Sequence, residues 1–368
     1  MSKASKSQSF GSVLVVGGCG FLGHHIVSLL ADQYDAQISV LDLRTVRNRR
    51  DGVSYYDGDI TSEARAKEVF EQVKPDVVIH TASPPLMEHK KDLMYTVNVE
   101  GTKNLVQVAG AIGSVKAFVY TSSASVIHDT VNDLVNADER WPYVVGKDQL
   151  EYYSETKAEA EKLVLEANRQ YNKMLTASIR PAGIIGEGDV QILPNILKAY
   201  RKGQTGFQLG DNDNLFDFTY VGNVAHAHVL AAIALLNTYA RSTAPLDHER
   251  VDGEAFFVTN DSPVYFWDFP RMVWKAAGDK TGTNVWTIPK DTGLKIATIL
   301  EWLFWFVGKT PNLTRKQVRY SCMTRYYNID KAKRRLGYKP LVSLEEGVQK
   351  SVKWFLEQEQ QVNEKKDQ

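Results

Sequence analysis

The chain has 368 residues, of which 43% are hydrophobic and 24% are charged, a composition typical of a globular protein with a large core. Lysine plus arginine and aspartate plus glutamate both number 44, so the formal net charge is +0 and the basic excess of a nucleic-acid-binding protein is missing. Two cysteines, Cys19 and Cys322, argue against a disulfide framework, and the polar N-terminus lacks a signal-peptide core. We therefore expect a cytosol-facing protein with two domains, or with one domain and an appended lobe.

Apolar runs and helical segments alternate over the first half of the chain. Strands are predicted at residues 12–17, 37–43, 53–59, 76–83, 117–123 and 175–181, and helices at residues 21–31, 97–111 and 151–170. Such alternation is typical of a parallel sheet with helices on both faces. The sequence therefore predicts an α/β fold with a doubly wound, parallel Rossmann sheet in residues 1–186, joined by a later segment near residues 220–262.

The alternation loosens after Gly186. Turn-rich segments are followed by a predicted helix at 220–236, a strand at 254–259 and an aromatic-rich, mainly helical region past Pro263. These segments predict a smaller C-terminal substrate lobe made of residues 187–219 and 263–357, with a polar tail at 358–368. Because ligands bind at the carboxyl ends of the strands in such sheets, we expect the lobe to cap that edge.

Three glycines, Gly17, Gly20 and Gly23, stand directly between the first strand and the first helix. In a dinucleotide-binding turn the first permits the tight bend, the second lets the backbone approach a pyrophosphate, and the third lets helix and strand pack closely. The free N–H groups of the helix N-terminus then face the phosphates. This spacing in this context predicts a nicotinamide dinucleotide site.

Asp42 ends the second strand, about twenty residues past the glycine turn, where a carboxylate accepts hydrogen bonds from the adenosine ribose and repels a 2′-phosphate. This favours NAD, while Arg44 and Arg47 nearby leave NADP open. Asp59 is a second candidate: it contacts the adenine edge or is simply a turn aspartate.

Tyr153 and Lys157 lie four residues apart on a predicted helix and so share one face. An ammonium near a phenol lowers the pKa of the phenol. Such a tyrosine can take the proton of an alcohol while hydride leaves the carbon that bears the hydroxyl. Ser123, with Ser122 as the alternative, ends a strand where its hydroxyl would hold the substrate oxygen. No metal site is expected, since the histidines lack a known ligand spacing and are interpreted as packing or surface residues.

These motifs resemble those of the extended short-chain dehydrogenases/reductases over nearly the full chain, and within them the 3β-hydroxysteroid dehydrogenase branch. The runs that carry the resemblance are GGCGFLG at 17–23, DI at 59–60, HTASP at 80–84, NVEGT at 98–102, YTSSASV at 120–126, YSETK at 153–157, RPAGIIG at 180–186 and LGY at 336–338. Further runs at 136–142, 210–217, 257–263 and 265–267 are similar to the subfamily that oxidises and decarboxylates 4α-carboxysterols.

The resemblance implies NAD(P)-dependent oxidation of the 3β-hydroxyl of a 4α-carboxysterol to the 3-ketone, with loss of the C4 carboxylate as CO₂, in sterol biosynthesis. It implies that Tyr153 is the base, that Ser123 steadies the carbonyl and that Lys157 holds the nicotinamide ribose. The implied cofactor-binding residues are Gly17, Gly20, Phe21, Leu22, Gly23, Asp42, Asp59, Ile60, Ala82, Ser83, Asn98, Tyr153, Lys157 and Pro181. Two alternatives stay open: a relative acting on another hydroxysteroid, ketone or nucleotide sugar, and a non-catalytic cofactor-binding scaffold.

Residues 294–308 form an apolar, aromatic-rich run whose only charges are Lys295 and Glu301. The run is short for a membrane span, so it is a core helix, a pocket lid or an interfacial helix. With a sterol substrate, we expect peripheral attachment to the cytosolic face of the endoplasmic reticulum membrane through this run. Lys365 and Lys366 fit a retrieval signal. Expected partners are other enzymes of C4 demethylation and a second copy in a homodimer.

Overall fold

A computed structural model of the chain describes residues 9–84, 90–281, 285–309, 311 and 313–364. The strands are β1 Ser9–Val16, β2 Asp35–Asp42, β3 Ser54–Asp57, β4 Val77–His80, β5 Ala117–Thr121, β6 Leu134–Ala137, β7 Leu175–Pro181, β8 Gly183–Ile185, β9 Phe207–Leu209, β10 Leu215–Phe216, β11 Phe218–Tyr220, β12 Glu254–Val258, β13 Val264–Tyr265, β14 Trp286–Ile288 and β15 Arg325–Tyr327. The α-helices are α1 Phe21–Gln33, α2 Glu63–Val73, α3 Lys91–Tyr95, α4 Thr102–Ile112, α5 Tyr152–Glu166, α6 Ile192–Arg201, α7 Val221–Ala240, α8 Asp268–Ala276, α9 Lys290–Phe306, α10 Arg315–Ser321, α11 Asp330–Leu336 and α12 Leu344–Glu364.

Seven parallel strands form the central sheet in the order β12-β7-β5-β4-β1-β2-β3. The order reverses at β1, whose neighbours are β2 and β4, and a crevice at the carboxyl ends of such strands is where these sheets bind ligands. This confirms the predicted doubly wound Rossmann sheet. We call this sheet and its flanking helices the Rossmann half.

Side chains of β1 alternate between two apolar cores, one on each face of the sheet. Val13 and Val15 join the core that includes residues of α1 and α7, whereas Leu14 and Val16 join the core that includes residues of α2, α4 and α5. Burial on both faces accounts for the unbroken apolar runs in the sequence.

Helix α7 is the one helix in the described part of the chain that is long and apolar enough to cross a membrane, judged by length and composition alone. Some 56% of its most apolar window is buried, and it packs on α1, β5 and β7. A core helix meets the same criterion, so the finding is weak support for a membrane span.

The later segments build a second unit, which we call the late lobe. Its four-stranded sheet has the order β13-β10-β15-β6, so it takes in β6 from between β5 and α5 of the Rossmann half. Its core joins side chains of α6, α8 and α12 with those of β10 and β11, among them Leu193, Phe216, Phe218, Phe269 and Val348. The domain boundaries stay predictions.

Three elements differ from the expectations. Helix α2 lies in a stretch for which no helix was predicted, and the segment predicted as helix at 97–111 begins with a π-helical turn, Thr96–Gly101. The polar tail is helical as far as Glu364 because α12 continues into it. Lys365 and Lys366 lie outside the described residues.

Candidate active site

The glycine turn connects β1 to α1 under tight steric limits. Gly17 has φ +83, and a Cβ there would lie 2.6 Å from the Ala82 nitrogen. A Cβ on Gly23 would lie 2.1 Å from the Gly17 carbonyl oxygen, so helix and turn could not approach each other with any side chain. A Cβ on Gly20 would meet only that same oxygen, at 3.1 Å. Gly20 therefore presents open backbone to the crevice.

The N-terminus of α1 starts at this open surface. Gly20 is the N-cap, and no side chain caps the helix. The first N–H groups of a helix, here those of Phe21, Leu22 and Gly23, lack intrahelical acceptors and carry the positive end of the helix dipole. A dinucleotide pyrophosphate fits this surface in charge and in hydrogen-bonding capacity.

Asp42 is held against the turn, since its Oδ2 accepts a hydrogen bond from the Cys19 N–H at 3.0 Å. Burial and the Asp42 carboxylate raise the pKa of the Cys19 thiol to about 11, while Arg47 and Arg49 act in the opposite direction. The sequence pointed to Arg44 and Arg47 here, and of these Arg47 acts electrostatically on the turn. Arg49 acts on it as well, although the sequence analysis did not single it out. The second carboxylate oxygen of Asp42 has no hydrogen-bond partner among the described residues, and a ribose hydroxyl would contact it there.

Asp59 and Ile60 follow β3. Asp59 is exposed, and its Oδ1 accepts the Thr61 N–H at 2.9 Å, which is the turn role left open by the sequence. Ile60 is buried and packs under the π-helical turn, where a Cβ on Gly101 would lie 2.7 Å from its side chain. A contact of either residue with a cofactor stays a prediction.

Hydrogen bonds tie the end of β4 to α5. Ser83 Oγ donates to Asn98 Oδ1 at 2.9 Å, and Asn98 Nδ2 donates to Thr156 Oγ1 at 3.0 Å. The Ser83 side chain also acts on Tyr153, whose pKa it tends to lower. The π-helical turn, a form frequent at functional sites, thus places Asn98 beside the residue pair of α5.

Tyr153 has a raised pKa, in contrast to the lowered value expected from the sequence. Its hydroxyl is part of a partly exposed side chain, but desolvation raises the pKa to about 12, against the effect of the Ser83 side chain. The ammonium of Lys157 is engaged elsewhere: it donates to the Thr121 carbonyl and lies 4.4 Å from the centre of the Tyr120 ring. With these neighbours the phenol is protonated at neutral pH.

Lys157 is fully buried, and desolvation lowers its pKa to about 7, while the carboxylate of Glu161 acts to raise it. Glu161 lies one helical turn further along α5 and pairs with Arg180, with both side chains almost inaccessible at 0% and 4% exposed. Tyr143 Oη and Ser178 Oγ donate to the same carboxylate at 2.6 and 2.8 Å. The buried carboxylate is thereby kept ionised beneath the lysine.

His228 of α7 supports the other side of Lys157. Its Nδ1 donates to the Val224 carbonyl at 2.8 Å, so its Nε2 accepts from the Thr121 hydroxyl at 2.7 Å. Burial lowers the pKa of His228 to about 4, so the ring is neutral and adds no charge beside the lysine. The histidine packs as expected, but it also fixes Thr121, whose carbonyl binds Lys157.

Ser123 is the N-cap of a short 3₁₀ turn, Ala124–Ile127. Its Oγ lies 2.8 Å from Ser125 Oγ, and Ser154 donates to that same Ser125 oxygen at 2.8 Å. Ser125 therefore links Ser123 to the neighbour of Tyr153. Ser122 is buried, and Pro181 ends β7 inside the sheet.

The structure thus gathers most of the predicted residues at one sheet edge, and it adds Ser125, Thr121, Glu161 and His228. Glu161 had a signal in the sequence, because it continues the four-residue spacing of Tyr153 and Lys157 on α5. His228 had none, since it lies 107 residues from its partner Thr121. A phenol, a buried ammonium and a hydroxyl beside a dinucleotide-shaped turn are suited to proton transfer coupled to hydride transfer.

Solved structures share this fold. The UDP-glucose 4-epimerase of Thermus thermophilus, solved as a complex with NAD, superposes with a TM-score of 0.68 at 22% identity, covering 94% of this chain and 99% of the other. The enzyme WbmH of Bordetella bronchiseptica, in complex with NAD⁺, gives a TM-score of 0.69 at 18% identity, covering 94% and 98%.

Sequence relatives are more similar. The decarboxylating sterol-4-alpha-carboxylate 3-dehydrogenase of Schizosaccharomyces pombe is 41% identical over 348 residues, covering 94% of this chain and 97% of the relative. The enzyme of the same name from Mus musculus is 36% identical over 350 residues, covering 93% and 90%. The sequence profile of the 3-beta hydroxysteroid dehydrogenase/isomerase family matches residues 14–290. The chain therefore belongs to the 3-beta hydroxysteroid dehydrogenase/isomerase family.

Proposed function

We propose that the protein oxidises the 3β-hydroxyl of a 4α-carboxysterol with NAD and that the C4 carboxylate leaves as CO₂. The observation that carries the proposal is the grouping of Tyr153, Lys157 and the Ser123–Ser125 link beside the glycine turn. The substrate follows from the names of relatives that are 41% identical over almost their whole length. Together these support oxidation of a sterol alcohol rather than a scaffold role.

Bound NAD supplies the acceptor for the hydride that leaves C3. We assign the removal of the hydroxyl proton to the phenolate form of Tyr153, which is the minor form at neutral pH, and to Ser123 Oγ a hydrogen bond to the oxygen as it becomes a carbonyl. Lys157 lies one helical turn away, and its protonated form would favour the phenolate during proton transfer. Glu161 and the Thr121 carbonyl support that protonated form.

Oxidation at C3 produces a ketone next to the carbon that bears the carboxylate. In such a β-keto acid the bond from C4 to the carboxyl carbon breaks, and its electron pair moves toward the C3 carbonyl oxygen while CO₂ departs. The resulting enolate takes a proton at C4. The ring carbonyl is itself the electron sink, so this step requires no further acid or base from the protein.

The preference for NAD over NADP is part of the proposal. A carboxylate at Asp42, fixed by the Cys19 N–H, supports binding of a ribose that carries free hydroxyls. Arg47 and Arg49 act on the same turn and supply the charge that a 2′-phosphate would need if Asp42 were absent.

The test combines two products in one assay. Purified protein is incubated with NAD and a 4α-carboxysterol, and NADH and CO₂ are measured together. We expect equal amounts of both. NADH without CO₂ would point to another hydroxysteroid dehydrogenase, and cofactor binding without either product would favour the scaffold alternative.

We also propose that α9 attaches the protein peripherally to the cytosolic face of the endoplasmic reticulum membrane. Trp302, Trp305 and Phe306 are 61%, 73% and 62% exposed, although such side chains rarely form an exposed cluster on a soluble surface. Glu301 is turned toward α10, where Arg315 binds it at 2.6 Å. The face left free is aromatic and apolar, which suits the lipid interface and a membrane-dissolved sterol.

Flotation with liposomes tests this attachment. We expect the wild-type protein to float and Trp302→Glu and Phe306→Glu to stay at the bottom of the gradient, because a buried carboxylate is costly in lipid. Trp141→Glu, at an exposed tryptophan in the loop after β6 and outside α9, is the matched control and should float. Equal flotation of all variants, or none by the wild type, would rule the proposal out.

A further inference from the structure

Arg325 on β15 carries a charge that the site as described does not use. Its Nε donates to Tyr327 Oη at 2.7 Å, and its side chain is partly buried. No carboxylate in the described part of the chain forms an ion pair with it, although Asp and Glu partners within 4.0 Å are found for many other arginines. A guanidinium has five N–H donors, so most of its capacity is unused by the described residues.

Contacts on three sides locate this guanidinium. Tyr327 Oη, which accepts from Arg325, donates to the carbonyl of Ala124 at 3.3 Å, and Ala124 directly follows Ser123. On a second side the Phe216 ring centre lies 5.9 Å from Arg325 Cζ. That ring belongs to an aromatic cluster of the late lobe with Phe218, Phe266 and Tyr320.

On the third side lies the N-terminus of α5, the helix that carries Tyr153 and Lys157. Glu151, the N-cap of α5 and two residues before Tyr153, acts electrostatically on Arg325. Its carboxylate is already bound by Lys316. Arg325 therefore lies between the Ser123 turn, the N-terminus of α5 and the aromatic cluster, which is the space between the Rossmann half and the late lobe.

Burial acts to lower the pKa of Arg325, but Tyr327, Tyr320 and Glu151 raise it, so the guanidinium is charged although no described carboxylate forms an ion pair with it. His128, which follows the 3₁₀ turn, is neutral because burial and the Arg325 charge lower its pKa to about 4. Tyr320 and Tyr327 have pKa values raised by burial, so both rings are uncharged phenols. The guanidinium therefore keeps N–H donors that no described carboxylate uses, and a carboxylate ligand would pair with them.

We propose that Arg325 binds the C4 carboxylate of the sterol, an inference that rests on the proposed function. The carboxylate and the reacting hydroxyl are on adjacent ring carbons, so a cation next to the Ser123 turn meets one group while Tyr153 meets the other. The planar fork of arginine binds both carboxylate oxygens at once and so fixes the ring orientation. The aromatic cluster receives the apolar ring system.

This assignment also implies that the site binds the substrate more tightly than the product. The substrate enters as an anion that pairs with Arg325, and it leaves as a neutral ketone once CO₂ has departed. The product therefore lacks the charged contact that bound the substrate, and binding favours acid over ketone. Sterols without the carboxylate are disfavoured for the same reason, because they leave the guanidinium desolvated and unpaired.

The test compares two substrates. For Arg325→Met we expect the KM of the 4α-carboxysterol to rise about 10²-fold, as is typical when one partner of a buried charge pair is truncated. Turnover of a 3β-hydroxysterol with the same skeleton but no C4 carboxylate should be unchanged or improved, because the unpaired guanidinium that disfavours it is gone, so the preference for the acid collapses. Arg325→Lys keeps the charge without the fork and should fall between. Arg319→Met, at an exposed arginine of α10, should behave as wild type.

The outcomes separate this inference from the proposed function. If the wild-type protein oxidises the acid and Arg325→Met keeps the full preference for it, the carboxylate assignment is wrong while the function stands. A uniform loss for both sterols in Arg325→Met and Arg325→Lys would assign the residue a structural role and overturn the inference. Binding of the carboxysterol, followed by tryptophan fluorescence, tests Arg325 without turnover: equal affinity in wild type and Arg325→Met contradicts it.

Discussion

The Rossmann half and the late lobe differ in how completely the protein itself buries or pairs the side chains of their functional surfaces. In the Rossmann half Lys157 and Glu161 are buried, and each has specific hydrogen-bond partners. In the late lobe the aromatic face of α9 is exposed and the Arg325 guanidinium is largely unpaired among the described residues. The groups that move a proton are fixed by the protein alone, whereas the groups that meet the sterol or lipid are left for those ligands to satisfy.

The largest expected effect tests the fixed half. Tyr153→Phe keeps the ring and removes only the acid–base oxygen, so turnover should fall by about 10² to 10⁴-fold while NAD affinity stays near wild type. Steady-state kinetics and NAD titration measure the two effects. Tyr152→Phe, on the neighbouring residue of the same helix, should retain turnover; near-normal turnover of Tyr153→Phe would remove it as the base.

Glu161→Ala leaves Arg180 buried without its partner. Breaking a buried pair in this way costs about 3–5 kcal/mol, so the free energy of unfolding in urea should fall by that amount. Glu346→Ala breaks an exposed pair with Lys350 on α12 and should cost no more than about 0.5 kcal/mol. Equal losses in the two variants would contradict the contrast between a fixed and a ligand-ready region.

Asp42→Ala tests where the fixed half meets a ligand. The loss of a charged hydrogen bond to the ribose should weaken NAD by about 1–3 kcal/mol and relieve repulsion of NADP, so the ratio of kcat/KM values shifts toward NADP. Asp35→Ala, at an exposed carboxylate at the opposite end of β2, is the control. An unchanged ratio in Asp42→Ala would show that this residue does not read the ribose.

The smallest expected effect is a loss of folding stability at acidic pH. Burial lowers the pKa of His228 to about 4, below its usual 6.5, so the unfolded chain binds more protons between these values and stability falls as pH drops through that window. We expect a loss of about 2 kcal/mol at pH 5 relative to pH 7 from this group. His228→Gln should flatten the pH dependence, and replacement of the exposed His248 should not. Parallel curves for wild type and His228→Gln would argue against this source of acid sensitivity.

Much of the Rossmann half is encoded locally. The apolar run of β1, the glycine spacing and the Tyr153/Lys157 pair each depend on residues close in sequence, so periodicity and turn chemistry predict them. Helix α2 was missed although its buried residues, Ala66, Val69 and Phe70, have the three- and four-residue spacing of an amphipathic helix.

The electrostatic state of the site could not be predicted in the same way. The raised pKa of Tyr153 depends on desolvation by the whole fold, and the direction of the Lys157 ammonium depends on a carbonyl 36 residues away. Arg325 was missed because β15 has only three residues and its neighbours, β6 and β10, come from distant parts of the chain. The spacing of residues along a sequence does not predict such contacts between distant segments.

The position of β12 at the edge of the central sheet has a consequence for biosynthesis. Residues 254–258 pair with β7, which ends at Pro181, so more than seventy residues are synthesised between the two strands. Until β12 leaves the ribosome, the seven buried residues of β7 have an unpaired edge. Exposed apolar edges invite pairing with other chains. Nascent chains stalled between residues 181 and 254 should therefore aggregate more readily and bind chaperones more strongly than chains released past residue 258.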